Sequence, residues 1–178
     1  MNTTQHRSDL SQRFADYWFS LPRDGLLPRR EAFDPAAVPE LLPMILLRDV
    51  LPDGRGRYRL AGTGIRDMLG FEITGLKAFD FLPEPHQALY REISRQMMER
   101  PCGVQALLEL QTARGEPFQI ENVAFPFAPR ADGGGQTVGH FAPLGLPRQT
   151  GGGTSRVIAI GAFELIDVGA GLPDINLL

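Results

Sequence analysis

Thiol chemistry is nearly missing from this chain: a single cysteine, Cys102, stands among 178 residues. One cysteine cannot staple the chain to itself or build a Cys-rich zinc site, so stability has to come from a buried core. A chain of this length hides roughly 70% of its unfolded surface, which suffices without disulfides or metals and permits a reducing compartment. Long apolar runs are missing too. The stretches at Ile45 to Leu47 and Val157 to Phe163 fall far short of the ~20 residues that span a bilayer. The first residues, with His6, Arg7 and Asp9, lack the apolar stretch of a secretory signal. These absences predict a cytoplasmic protein with no membrane segment. Positive charge is also scarce: 18 basic residues against 21 acidic give a net charge of −3. Nucleic acid is therefore not an expected partner, because affinity for phosphate backbones comes from clustered Lys and Arg. The three histidines, His6, His86 and His140, share no spacing suited to a metal, and no metal site is predicted. Catalytic signatures are lacking as well. There is no Gly-Lys-Ser/Thr and no Gly-x-Ser-x-Gly, and Gly62-Thr63-Gly64 followed by Gly70 misses the dinucleotide spacing.

What is there has order. Leu10, Phe14, Tyr17, Trp18 and Leu21 form one stripe of a helix capped by Ser8 or Asp9 and stopped at Pro22. Prolines then recur up to Pro43, predicting an ordered connector that closes an N-terminal section at residues 1–43. Met44 to Leu51 and Tyr58 to Gly62 read as a hairpin turned by Pro52-Asp53-Gly54. Ile65, Met68 and Leu69 make a short helix ended by Gly70, and Glu84-Pro85 opens a longer one that stops at Arg100-Pro101. Val104 to Leu110 and Phe118 to Phe127 follow as strands. The second of these changes its apolar face between Ile120 and Val123, which predicts either a bulge or burial on both sides. Residues 129–155 are rich in Gly and Pro and read as a mobile insertion, with Gly133 to Gly135 and Gly151 to Gly153 as its most flexible points. Val157 to Leu165 reads as a central strand, within a domain spanning 44–167, and 168–178 as a loosely held tail. The predicted class is α+β: a five-stranded antiparallel sheet with helices packed on one face and an amphipathic N-terminal helix.

The residues that carry a resemblance are Tyr17-Trp18, Leu27-Pro28-Arg29-Arg30 with Phe33-Asp34-Pro35, Leu41-Leu42-Pro43, Tyr58 to Thr63, Leu69-Gly70 and Thr74-Gly75. In this order they resemble the PAS domain, and more specifically a bacterial PAS family common in alphaproteobacteria. The resemblance implies a sensory or docking module, expected here to be without catalysis of its own and to form a homodimer; no kinase, cyclase or DNA-reading segment fits this length, so its output is expected to pass to a separate signalling protein. It leaves the cofactor unassigned. Flavin photosensors of this fold carry a reactive cysteine on the short helices, where this chain reads Phe71 to Gly75 without one. Haem sensors place an axial histidine a few residues past Pro-Glu-Pro, whereas here His86 follows Pro83-Glu84-Pro85 at once and Tyr90 sits nearer the ligand position.

An interior pocket for a small apolar ligand is expected between sheet and helices, lined by Tyr58, Ile65, Met68, Leu69, Phe79, Phe81, Leu89, Tyr90, Ile93, Met97 and Asn122. Strand alternation turns Tyr58 inward and Arg59 outward, toward Glu109 or Glu121. Asn122 either orients a ligand or satisfies the backbone of a bulge. Asp80 and Glu84 could form a carboxylate pair, but on a loop edge they are expected rather to cap the longer helix. Phe14, Tyr17, Trp18 and Phe19 form an aromatic cluster that cannot all face one side of a helix, and it is the expected dimer interface. Two other readings stay open: a filled core serving only protein contacts, and a small enzyme with a curled-sheet pocket.

Overall fold

The computed structural model describes residues 5–131, 134–145 and 153–174. Among these, the chain runs through α1 (Asp9–Ser20), β1 (Ile45–Val50), β2 (Gly56–Ala61), α2 (Thr63–Leu69), α3 (Glu84–Glu99), β3 (Cys102–Gln111), β4 (Pro117–Pro126), β5 (Gly135–Pro143) and β6 (Arg156–Asp167). Ser8 Oγ accepts from the Leu10 amide at 3.2 Å to cap α1, and Gly70 ends α2 at φ 80°. The proline-rich connector is a series of 3-10 turns at Arg30–Ala32, Pro35–Ala37 and Leu42–Met44. It buries Leu27, Phe33, Val38 and Leu41. Helix α3 starts behind Pro83 without a side-chain cap, so neither Asp80 nor Glu84 has the capping role expected of it. No helix among the described residues is long and apolar enough to cross a membrane.

All six strands lie in one antiparallel sheet in the order β2-β1-β5-β4-β3-β6. Two expectations are overturned here. Residues 135–143 were read as part of a mobile insertion, yet they are a strand bonded on both sides, to β1 and β4. The strand at Val157 to Leu165, read as central, is instead the outermost one, paired only with β3. The glycines misled. Gly135 lies so close to Met98 that an added Cβ would stand 2.0 Å from its Sδ, so this glycine marks close packing rather than freedom. Of the other predicted flexible points, Gly133, Gly151 and Gly152 lie outside the described residues.

Both faces of the sheet are covered. Helices α2 and α3 lie over Leu46, Leu108, Ile120 and Phe141, while α1 and the connector lie over Ile45, Leu47, Val123, Phe125 and Val138. That explains the change of apolar face in β4. Its register against β3 is unbroken from Val104↔Ala124 to Gln111↔Pro117, so there is no bulge, and Ile120 to Val123 are all buried. Phe118 and Ile120 serve one core and Val123, Phe125 and Phe127 the other.

Candidate ligand-binding site between the sheet and helix α3

The local geometry begins with an irregularity. Leu47 pairs with Leu60 but Arg48 pairs with Tyr58, so Arg59 is an extra residue bulged out of β2. Bulges re-aim side chains, and this one sets Tyr58 directly across from Arg48 on the helix-covered face. Arg59 points outward as expected, but its partner is Asp49, not Glu109 or Glu121. Asp49 also receives Arg130 at 3.1 Å and Gln136 at 2.9 Å, and these bonds hold its carboxyl below the ordinary range against the opposing effect of burial.

Arg48 was not anticipated, and it is the most unusual group in the molecule. Its side chain is only 9% exposed. The guanidinium lies 4.6 Å over the ring of Phe79, and its Nε donates to Thr137 Oγ1 at 3.3 Å. Among the described residues no carboxylate comes within ion-pair distance of it. Burial depresses its affinity for a proton and the facing Tyr58 and Tyr90 act the other way; an arginine nonetheless stays cationic in a protein. Phe79 holds its place under the guanidinium from a left-handed backbone, φ 73°, a conformation that costs a bulky residue of order 1–3 kcal/mol. Its ring is 5.1 Å from that of Tyr90.

These groups border a cavity of about 50 Å³. Seven of the residues expected from sequence line it: Tyr58, Phe79, Phe81, Tyr90, Ile93, Met97 and Asn122. Ile65, Met68 and Leu69 are buried in the neighbouring core, and Leu89 is half-buried against Ile93 and Met97, so these four do not reach the cavity. Asn122 sits on the cavity side of β4 beside Ala124, and Gly139 faces it from β5. The Tyr90 hydroxyl is buried without a hydrogen-bond partner; the Asn122 amide lies near it but outside bonding geometry. Burial pushes the Tyr58 phenol up to about 12, partly offset by Arg48, and raises that of Tyr90 as well. Both are neutral hydrogen-bonding groups at physiological pH. Cys102 is buried at the start of β3, and burial with the nearby Asp167 pushes its thiol up to about 11, a structural rather than a reactive cysteine.

The other face corrects the expected interface. Phe14 and Trp18 are fully buried against the chain's own sheet, with the Trp18 ring stacked 4.5 Å from Phe125. Neither is free to meet a second molecule. Tyr17 is half-buried, its hydroxyl donating to the Asp34 carbonyl at 2.8 Å, and Phe19 alone of the four is exposed. Beneath α1 lies His140, read from sequence as a loop residue. It is a fully buried member of β5, stacked 5.5 Å from Phe14, with both ring nitrogens unpartnered, and burial pulls it down to about 4. Buried Glu121 accepts from the amides of Arg7 at 2.9 Å and Ser8 at 3.1 Å, placing its carboxylate at the positive end of α1.

The antiparallel sheet with helices on both faces, and the chamber between it and α3, define an α+β domain with an interior pocket. The sequence pattern of the PAS domain matches residues 5–142, ending within β5, and the chain belongs to the PAS domain family. Solved structures similar to it include the Rhodobacter sphaeroides LOV protein, at 20% identity over 65% of this chain and 71% of that one, with a TM-score of 0.45. A fungal LOV domain photoreceptor is 24% identical over 57% of this chain and 74% of its own, TM-score 0.42. An RNA-binding LOV receptor is 19% identical over 70% of this chain but 37% of its own, TM-score 0.43. No curated protein matches the sequence.

Proposed function

We propose that this protein is a non-catalytic cytoplasmic sensory module that binds a small molecule in the chamber between the sheet and α3. It passes the change to a second copy of itself or to a separate signalling protein. The observation that carries this reading is the convergence of Arg48, Tyr58, Tyr90, Ser94 and Asn122 on a cavity whose remaining walls are mainly apolar. A few polar groups set in an apolar chamber is the usual make-up of a small-molecule site. Catalysis is disfavoured because neither carboxylate nor histidine occurs among the lining residues, and phenols raised by burial are poor bases at neutral pH. Signalling would be a population shift: a ligand favours one seating of α3 on the sheet. β4 and β5 carry it across, since Asn122 and Gly139 face the cavity while their neighbours Val123 and His140 lie under α1. Exposed Phe19 on α1 offers a contact for the partner.

The size of the cavity favours a second reading, a filled domain used only for protein contacts, because about 50 Å³ is well below the ~300–1,000 Å³ of drug-sized ligand sites. A thermal-shift screen of a metabolite library against the full chain and Gly139→Ala separates the two. A Cβ at Gly139 would stand 3.5 Å from Ala124 Cβ and 3.7 Å from Asn122 Oδ1, so it fits while taking up cavity space. Compounds that stabilise the parent and not the variant support the sensory reading. No stabilising compound in either protein supports the filled domain.

A further inference from the structure

We propose that the chamber is an anion site and that its ligand is a small monocarboxylate of acetate or propionate size, gripped by Arg48. The inference rests on the sensory reading above and names the chemical class it takes.

The argument starts from charge. A guanidinium removed from water needs a counter-charge, and the usual protein solution is a bidentate carboxylate. Arg48 has none among the described residues. Its acidic chain neighbour Asp49 is taken by Arg59 and Arg130, and exposed Asp80, which acts on Tyr58, does not pair with Arg48. The ring of Phe79 and the hydroxyl of Thr137 soften the burial but carry no negative charge. A second observation is independent of this one: the Tyr90 hydroxyl is buried with no partner while lining the same cavity. Cation and donor thus face one small space, and an anion satisfies both.

Size and lining narrow the class. A water needs about 10–15 Å³ measured by a water-sized sphere, so a cavity of about 50 Å³ holds three to five non-hydrogen atoms. That excludes nucleotides, sugars and ring cofactors in this conformation. The planar two-oxygen end of a carboxylate matches the guanidinium fork. The rest of the cavity, walled by Ile93, Met97, Leu108 and Phe141, suits a methyl or ethyl group better than the further oxygens of an inorganic ion.

The test titrates the full chain with sodium acetate, propionate or nitrate, and with neutral acetamide, against sodium chloride at equal ionic strength. Thermal shift and NMR of the Asn122 side-chain amide report binding. Acetate and propionate should raise the melting temperature saturably and move the Asn122 signals, with Kd no tighter than roughly 40 μM for acetate and roughly 3 μM for propionate, the ceilings for four and five non-hydrogen atoms. Acetamide should do neither. Arg48→Met should abolish the response while leaving the free protein as stable as before or more so, because an apolar chain replaces an unpaired cation. Arg48→Lys should weaken binding at least tenfold, and Tyr90→Phe, which leaves the cation in place, severalfold. Equal binding of nitrate and acetate would overturn the carboxylate, and an unchanged response in both Arg48→Met and Tyr90→Phe would overturn the site. If neutral compounds alone bind, this inference fails while the sensory reading stands; if the cavity takes no ligand at all, both fail.

Discussion

The two faces of this sheet are built to opposite standards. Under α1 the aromatic rings of Phe14, Trp18 and Phe125 lie in close contact, ring on ring, and Glu121 pins the chain just before the helix to β4. Under α3 the packing stops short around Arg48 and leaves space. A filled face fixes where the strands lie, and a sheet held rigid on one side can keep a costly group and a void on the other. The strain at Phe79 and the unpaired cation both fall on the side with room. Backbone strain gathers where a protein does its work, supported by ordered structure elsewhere.

That contrast can be broken by mutation. The largest effect is expected at Phe125→Ala, which empties the aromatic stack under α1: stability should fall by about 3–5 kcal/mol, read by urea unfolding with the slope unchanged. Acid comes next. His140 titrates at about 4 when folded, below its unfolded value near 6.5, so the unfolded chain binds more protons between them. Its contribution is whole above pH 6.5 and is lost as pH falls toward 4, about 3 kcal/mol in all. Unfolding free energies across that range should show the slope, and His140→Leu should flatten it. A matched pair of glycine substitutions probes the faces with one chemistry. At Gly103 a Cβ would meet Phe125 Cε1 at 2.5 Å, so Gly103→Ala should cost about 1–3 kcal/mol by overpacking. Gly139→Ala, toward the cavity, should change thermal unfolding by less than about 0.5 kcal/mol; equal losses at the two would erase the distinction drawn here. Smallest in stability is Phe19→Ser, near zero by the same melts, but light scattering should show any dimer weakened if α1 carries the contact.

Much of the frame was legible because it follows from periodicity. The stripe of α1, the hairpin, the inward Tyr58 and the αL stop at Gly70 each depend on local spacing. β5 was hidden by its surroundings. Glycines on either side made 129–155 look like a linker, although Gln136 to Ala142 holds no proline and carries Thr137, Val138 and Phe141, residues that favour strands. Arg48 was hidden differently. Period-two alternation already places it on the same face as Leu46, but a charge in a strand is read as outward by default, and the bulge at Arg59 that brings Tyr58 opposite it leaves no mark in sequence. The aromatic cluster on α1 was read as a surface because three aromatics stand in a row. Which of them the sheet would claim depended on Phe125 and His140, more than a hundred residues away.

β6 lies wholly beyond the residues matched to the family, yet it hydrogen-bonds along the whole of β3, from Cys102 to Gln111. Without it β3 would offer ten residues of free backbone on which other chains could nucleate. With it the border moves outward to a strand whose pairing slips register twice, near Leu107 and Leu110, a ragged rim that is a poor template for stacking. The last described strand therefore acts as a hem, closing the free side of β3 with an irregular border.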